Sequence, residues 1–188
     1  MQQILLISSA ILMNVAAIPY LIDVVHKKTK PRIVTWTIWT ILMAIAGFAA
    51  LDSGAVPAAV LSFASAVSTS LVVILGYKNS DKTYTKLDIF SFIGAISGLV
   101  LWWAFNSPLI AIVMSVVIDF IGAIPTIWHS YKKPQEETAS FFILCFFSAL
   151  LALLAVENFS VAATLVPIYL MIIDGFIGVL IIIRKRSK

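Results

Sequence analysis

Two carboxylates stand in this chain where hydrocarbon would be expected on all sides. Asp119 lies near the middle of an apolar run at 109–128, and Asp174 near the middle of another at 161–183. A carboxylate at the centre of a membrane helix costs about 2.5–3.5 kcal/mol even on the lenient insertion scale. Each therefore needs a cavity or a polar neighbour to face. No lysine or arginine lies inside any apolar run, so the charge must be met by a proton, a cation or a cationic group on a solute. This is the chemistry of binding and proton exchange.

Other polar groups share the same depth. Asn14 is the only amide near the middle of the first apolar run; it sits five residues before Pro19, close to the position Asp119 holds before Pro125. It is expected at the level of Asp119, either in a shared cavity or in an interhelical hydrogen bond. The run 57–76 offers Ser65, Ser68, Thr69 and Ser70, and 161–183 offers Tyr169 beside Asp174. Small hydroxyls are frequent at helix contacts in membranes, so the serines suit packing as well as binding. Trp36 and Trp39 lie one turn apart at the start of 33–51, and Trp102 and Trp103 close 89–105. An interfacial belt accounts for most such tryptophans, but Trp39 is deeper and is a candidate for lining an inner gate.

Several chemistries are excluded by what is missing. A retinal receptor needs a lysine in its last span for the Schiff base, and 161–183 has none. An intramembrane aspartyl protease carries Gly-x-Gly-Asp, whereas Asp174 follows Met171-Ile172-Ile173. The single cysteine, Cys145, has no second thiol for a disulfide and no partner for a metal site. Zinc, nucleotide and dinucleotide motifs are absent. Neither enzyme activity nor a cofactor or metal is expected. The net charge of +4 is spread over separate loops, without a basic face, so nucleic acid is not an expected partner.

The elements that must position these groups are membrane helices. Of the residues, 61% are hydrophobic and 12% charged, with a mean hydropathy of +1.05, more apolar surface than a soluble core of this size can hide. A helix needs ~20 residues to cross ~30 Å of hydrocarbon, and seven apolar runs are of roughly that size: 4–25, 33–51, 57–76, 89–105, 109–128, 141–156 and 161–183. Alternation with period two is absent, so the fold class is an all-α membrane protein rather than a barrel. The first run is too long for the apolar segment of a signal peptide and is expected to be retained.

All 13 lysines and arginines fall on one side of this seven-span arrangement, after runs one, three, five and seven, and the opposite loops carry only Asp52 and Glu157. The positive-inside rule then sets the N-terminus outside and the C-terminus in the cytoplasm. The chain also contains an echo of itself. Ala17-Ile18-Pro19-Tyr20, ending in Lys27-Lys28, returns 106 residues later as Ala123-Ile124-Pro125-Thr126, ending in Lys132-Lys133. Each lysine pair precedes an aromatic start to the next span, then one acid in an outside loop, then a span ending in a base. Residues 1–188 are thus expected to form one membrane domain, with a three-helix triplet at 1–77, a linker helix with its loops at 78–108 and a second triplet at 109–188. An odd linker span gives the triplets the same orientation, a parallel 3+1+3 repeat.

This layout, the outside N-terminus, the proline in the first span of each half, and Pro19-Tyr20 followed by Lys28-Thr29 resemble the SWEET and PQ-loop superfamily of small membrane transporters. In that family proline is paired with glutamine, where this chain has Tyr20 and Thr126. The resemblance covers nearly the whole chain. It implies a cavity between two triplets that opens alternately to each side, and small polar solutes such as sugars, amino acids or amines as cargo. It also implies that Asp174, followed by Gly175, and Thr69 or a neighbouring serine stand at the substrate position of the third span of each half.

The expected function is an alternating-access transporter or facilitator in the cytoplasmic membrane, with Pro19 and Pro125 as hinges and the midplane aspartates available for proton coupling. The alternative is a non-transporting, cargo-binding membrane receptor of the same fold. Expected partners are a small solute and membrane lipid, with the chain as a monomer or small homo-oligomer. The topology has a direct check. Single cysteines at Asp52 and Asn158 should react with an impermeant thiol reagent added outside intact cells, and one at Lys82 should not; labelling at Lys82 would overturn the seven-span arrangement.

Overall fold

The computed structural model describes residues 1–80, 82 and 86–186; Lys188, part of the basic pattern, lies outside the described residues. Among the described residues there are seven α-helices, two short 3-10 turns and no strand: α1 (Gln2–Val25), α2 (Ile33–Asp52), α3 (Val56–Gly76), α4 (Lys86–Phe105), α5 (Pro108–Lys132), α6 (Ala139–Leu154) and α7 (Val161–Arg186), with the 3-10 turns at Tyr77–Asn79 and Pro134–Glu136. Helices α1, α2, α3, α5 and α7 are long and apolar enough to cross a membrane, and the chain is a membrane protein. In hydrocarbon no water can take up backbone N–H and C=O groups, so an apolar chain must satisfy them within each helix.

The helix ends follow local chemistry rather than the edge of the apolar runs. Helix α5 continues four residues beyond the expected end at 128, through His129, Ser130, Tyr131 and Lys132. It stops because Lys133 precedes Pro134, and a residue before proline is pushed out of the α region; Lys133 has φ −132°. Helix α1 ends with Lys27 at φ 59°, and the amide of Lys28 donates to Asp23 O at 2.8 Å. Gly54, at φ 71°, closes α2 in the same way, with Ala55 N donating to Ala50 O. Both are left-handed caps that satisfy otherwise orphaned carbonyls. At 16 residues, α6 is about 24 Å long, shorter than the hydrocarbon.

Packing is pairwise. Helix α3 contacts both α1 and α2, and α7 contacts both α5 and α6; α1 packs on α6, α2 packs on α5, and α3 touches α7. Helix α4 lies on α5, with a lesser contact to α2. Prolines interrupt α1 at Pro19, α5 at Pro125 and α7 at Pro167. A proline has no N–H, so the carbonyls of Val15, Ile121 and Ala163 lose their helical partner. Pro167 was not singled out from the sequence, although its place inside an apolar run was visible there.

Two glycines set the closest helix approaches. A Cβ added at Gly47 of α2 would lie 2.7 Å from the Phe63 ring of α3, and one at Gly178 of α7 would lie 2.7 Å from Ile143 Cδ1 and 3.4 Å from Ile143 N of α6. Gly178→Val should therefore force α6 and α7 apart and destabilise the protein by about 1–3 kcal/mol, read as a lower unfolding temperature in detergent. Ile143→Ala in the same chain should restore part of the loss. An unchanged unfolding temperature for Gly178→Val would show that this contact is not tight.

Candidate functional site

Six helices turn side chains toward one small cavity inside the bundle. Its polar groups are Asp119 from α5, Asp174 from α7, Ser65 and Thr69 from α3 and Trp39 from α2. Met13, Met43, Phe141 and Cys145 contribute to its apolar wall. The volume is about 40 Å³. One water needs roughly 10–15 Å³ on this measure, so the cavity has room for a few waters and none for a sugar or an amino acid.

The two carboxylates sit differently. Asp119 is 5% exposed, and the Tyr169 hydroxyl of α7 donates to its Oδ2 at 2.5 Å. That bond ties α5 to α7 and fixes the orientation of the carboxylate. Asp174 is only partly buried, and its side chain makes no hydrogen bond among the described residues. Trp39 is 9% exposed, and its indole N–H is buried without an acceptor. A buried donor without a partner costs about 1–3 kcal/mol, and Trp39, which carries it, stands on the cavity wall together with Asp174.

The remaining candidates are placed as follows. Thr69 Oγ1 donates to Ser65 O at 2.9 Å and lies 2.9 Å from Thr40 Oγ1 of α2, so much of its capacity serves the α2–α3 contact. Tyr169 is absent from the cavity wall and acts on it through Asp119. Ser68 is 1% exposed, does not line the cavity and has no partner for its hydroxyl. Ser70 donates to Val67 O of its own helix. Asn14 does not line the cavity either; its Nδ2 donates to Ala10 O at 2.9 Å, within α1. Met13 takes its place, since one residue along a helix turns a side chain by about 100°. The sequence carried a signal for this. Met13 lies 106 positions before Asp119, and Trp39 lies 106 before Cys145, the spacing of the echo, and all four line the cavity.

Toward the end of the bundle that carries the basic residues, a cluster of three mutually tilted rings packs beside the cavity. Tyr20, seven residues or about 10 Å beyond Met13 along α1, is 1% exposed. Its ring centroid lies 4.8 Å from Trp36 and 5.3 Å from Phe141, and Trp36 lies 5.2 Å from Phe141. Beyond this layer, loops are tied together. Thr138 Oγ1 donates to Asp23 Oδ2 at 2.8 Å and lies 2.9 Å from Thr29 Oγ1, while Lys185 Nζ donates to Glu137 O at 2.8 Å. Thr29 belongs to the Lys28-Thr29 pair noted in the sequence; Asp23, Glu137 and Thr138 were not proposed as functional residues there.

Glu137 is the unusual member of this network. It is 7% exposed, with Oε2 lacking a hydrogen-bond partner and Oε1 4.0 Å from His129 Nε2. Burial pushes its carboxyl from an ordinary 4.5 up to about 8; the Lys185 ammonium opposes this and Glu136 adds to it.

No protein-family model, curated protein or solved structure matches the chain. Its function must therefore be argued from the cavity and the residues around it.

Glu137 makes stability depend on pH in a defined direction. Between about pH 4.5 and 8 the folded chain holds a proton on Glu137 that the unfolded chain has released. The stabilisation is complete below the lower value and is lost as pH rises through the upper one. The unfolding temperature in detergent should fall between pH 5 and pH 8.5, and Glu137→Gln should flatten that fall. Parallel pH profiles for the two proteins would remove Glu137 as the source.

Proposed function

We propose that this chain is an alternating-access membrane transporter of a small polar solute, in the cytoplasmic membrane, of the kind found in the SWEET and PQ-loop superfamily. The observation that carries the reading is the cavity itself. Two carboxylates, a hydroxyl-bearing helix and an unpartnered indole N–H meet inside a membrane bundle, and no lysine or arginine lines the space. Such a set is costly in hydrocarbon, and Asp174, without a hydrogen bond among the described residues, adds nothing to the contacts between helices.

The helix contacts support a parallel 3+1+3 arrangement. The α1–α6 contact has its counterpart in α5–α2, α2–α3 in α6–α7, and α1–α3 in α5–α7, as two triplets related by an axis along the membrane normal require. Seven spans with the basic end in the cytoplasm follow from the same reading. The small cavity would then belong to an occluded state, and rocking of the triplets about Pro19 and Pro125 would enlarge it toward one side or the other.

The two aspartates take different parts in this cycle. Asp119 is oriented by Tyr169 and serves as a fixed ligand. Asp174, unbonded and partly exposed, is the carboxylate with freedom to exchange a proton or to meet a cationic group when the cavity opens. An end state that binds a proton better than the other lets a pH gradient bias the cycle.

Uptake into proteoliposomes, with a panel of labelled sugars, amino acids and amines, tests the proposal. At least one solute should enter faster than into protein-free liposomes. Asp119→Asn should slow it roughly 10- to 100-fold, the value of a hydrogen bond to a charged group. Asp174→Asn should keep exchange down the solute gradient but lose acceleration by an imposed proton gradient. A wild-type rate indifferent to that gradient would remove proton coupling, and a panel with no transported member would remove transport of these solute classes.

A further inference from the structure

We propose that the outer groove between α5 and α7 binds one anionic phospholipid, with an acyl chain along the groove and the phosphate held at Lys132 and Arg184. Two apolar depressions, about 460 and 310 Å³, lie along this helix pair and share Ile124, Ile127 and Phe176. They form one trough that begins at Phe120 and ends at Trp128 and Tyr131. Along α5 that is eleven residues, about 16 Å, or half of the ~30 Å hydrocarbon. The groove therefore has the depth of a single leaflet, from the middle of the bundle to the basic end.

Its mouth is cationic. The Arg184 guanidinium lies 4.2 Å over the Tyr131 ring, with Nε donating to Tyr131 O at 3.2 Å. Lys132 Nζ lies 4.8 Å over the Trp128 ring and 5.9 Å from that of Tyr131. Both positive charges are thus drawn to the aromatic end of the trough, and no acidic side chain lines either depression. A lipid whose tail fills the trough brings its phosphate to this level, where arginine can bond it in bidentate fashion.

A second copy of the chain fits less well. Copies in one membrane share an orientation, so a two-fold contact through this groove would set Lys132 and Arg184 of each copy at the same depth, against their equivalents. A bound lipid would also act on the interior. Ile173 borders both the groove and the cavity, and the same helix pair carries the Tyr169–Asp119 hydrogen bond.

The test uses the full chain in detergent, titrated with phosphatidylglycerol or phosphatidylcholine of identical acyl chains, with bound lipid counted by native mass spectrometry and stability followed by thermal unfolding. One phosphatidylglycerol should bind saturably and raise the unfolding temperature, with phosphatidylcholine binding more weakly. Lys132→Gln with Arg184→Gln should weaken phosphatidylglycerol roughly 30-fold and phosphatidylcholine, whose phosphate is offset by its own choline, by less, so that most of the preference is lost. Ile124→Trp, which fills the trough without touching the cations, should weaken both lipids, and Lys78→Gln, elsewhere among the basic residues, should weaken neither. Equal binding of the two lipids to the wild type, or a preference that survives the double substitution, would overturn the proposal. So would a disulfide-linked dimer formed by Phe176→Cys in native membranes and lost on adding Ile124→Trp, which would make the groove an interface between copies.

Discussion

The interior of this protein is governed by the cost of keeping two carboxylates away from water with no fixed cation beside them. A buried carboxylate can be offset by a partner charge, by hydrogen-bond donors, or by space for water and protons. The first is missing from the wall of the cavity. Asp119 takes the second, from Tyr169, and Asp174 takes the third. These two remedies fix much else. Tyr169 can reach Asp119 only if α5 and α7 lie side by side, and a cavity at Asp174 can exist only where several helices converge without filling the space between them.

The contacts on either side of the cavity differ in chemistry and resemble each other in strength. Toward the basic end, three ring contacts join Tyr20, Trp36 and Phe141, each worth about 0.5–1.5 kcal/mol beyond its area. One turn from Met13 in the other direction, Ser9 Oγ donates to Ser148 O at 2.8 Å and Ser148 Oγ donates to Ser9 O at 2.8 Å, holding α1 against α6. Interhelical hydrogen bonds in membranes are worth about 0.6 kcal/mol on average and up to about 1.7. Contacts of a few kcal/mol on each side would suit the proposed two-sided cycle, because a much stronger one would hold the protein in a single state.

How much was legible in the sequence follows from periodicity. Helices announce themselves by long apolar runs, and polar residues inside such runs are conspicuous, so Asp119, Asp174, Ser65, Thr69 and Trp39 could be picked out and do share one cavity. Depth along a helix can be read from position, but direction around it changes by about 100° per residue. That is why Asn14 and Ser68, at suitable depth, point elsewhere while Met13 and Cys145 line the wall. The echo spacing held this information for Met13. Glu137, Thr138, Thr29 and Asp23 could not be brought together in advance, since they meet through loops or a helix end, where the path of the chain has no period.

The uneven distribution of charge between the proposed halves has a physical reason. If the 106-residue spacing were kept to the letter, Asp119 would be matched by Met13, which lines the same cavity, and a symmetric chain would crowd a third carboxylate into a space of about 40 Å³. Like charges at such separations repel strongly in a low dielectric, so the first half must be neutral there, and it is. The consequence is a polarised cavity: carboxylates on the α5 and α7 wall, and an indole, hydroxyls and methionines on the wall formed by α1, α2 and α3. A solute in the proposed cycle would therefore meet the two halves with different ends, any cationic group toward Asp119 and Asp174 and an acceptor toward Trp39. Orientation of this kind lets one small cavity select among polar solutes, because a molecule of the right charge but the wrong shape would leave the Trp39 N–H unpaired.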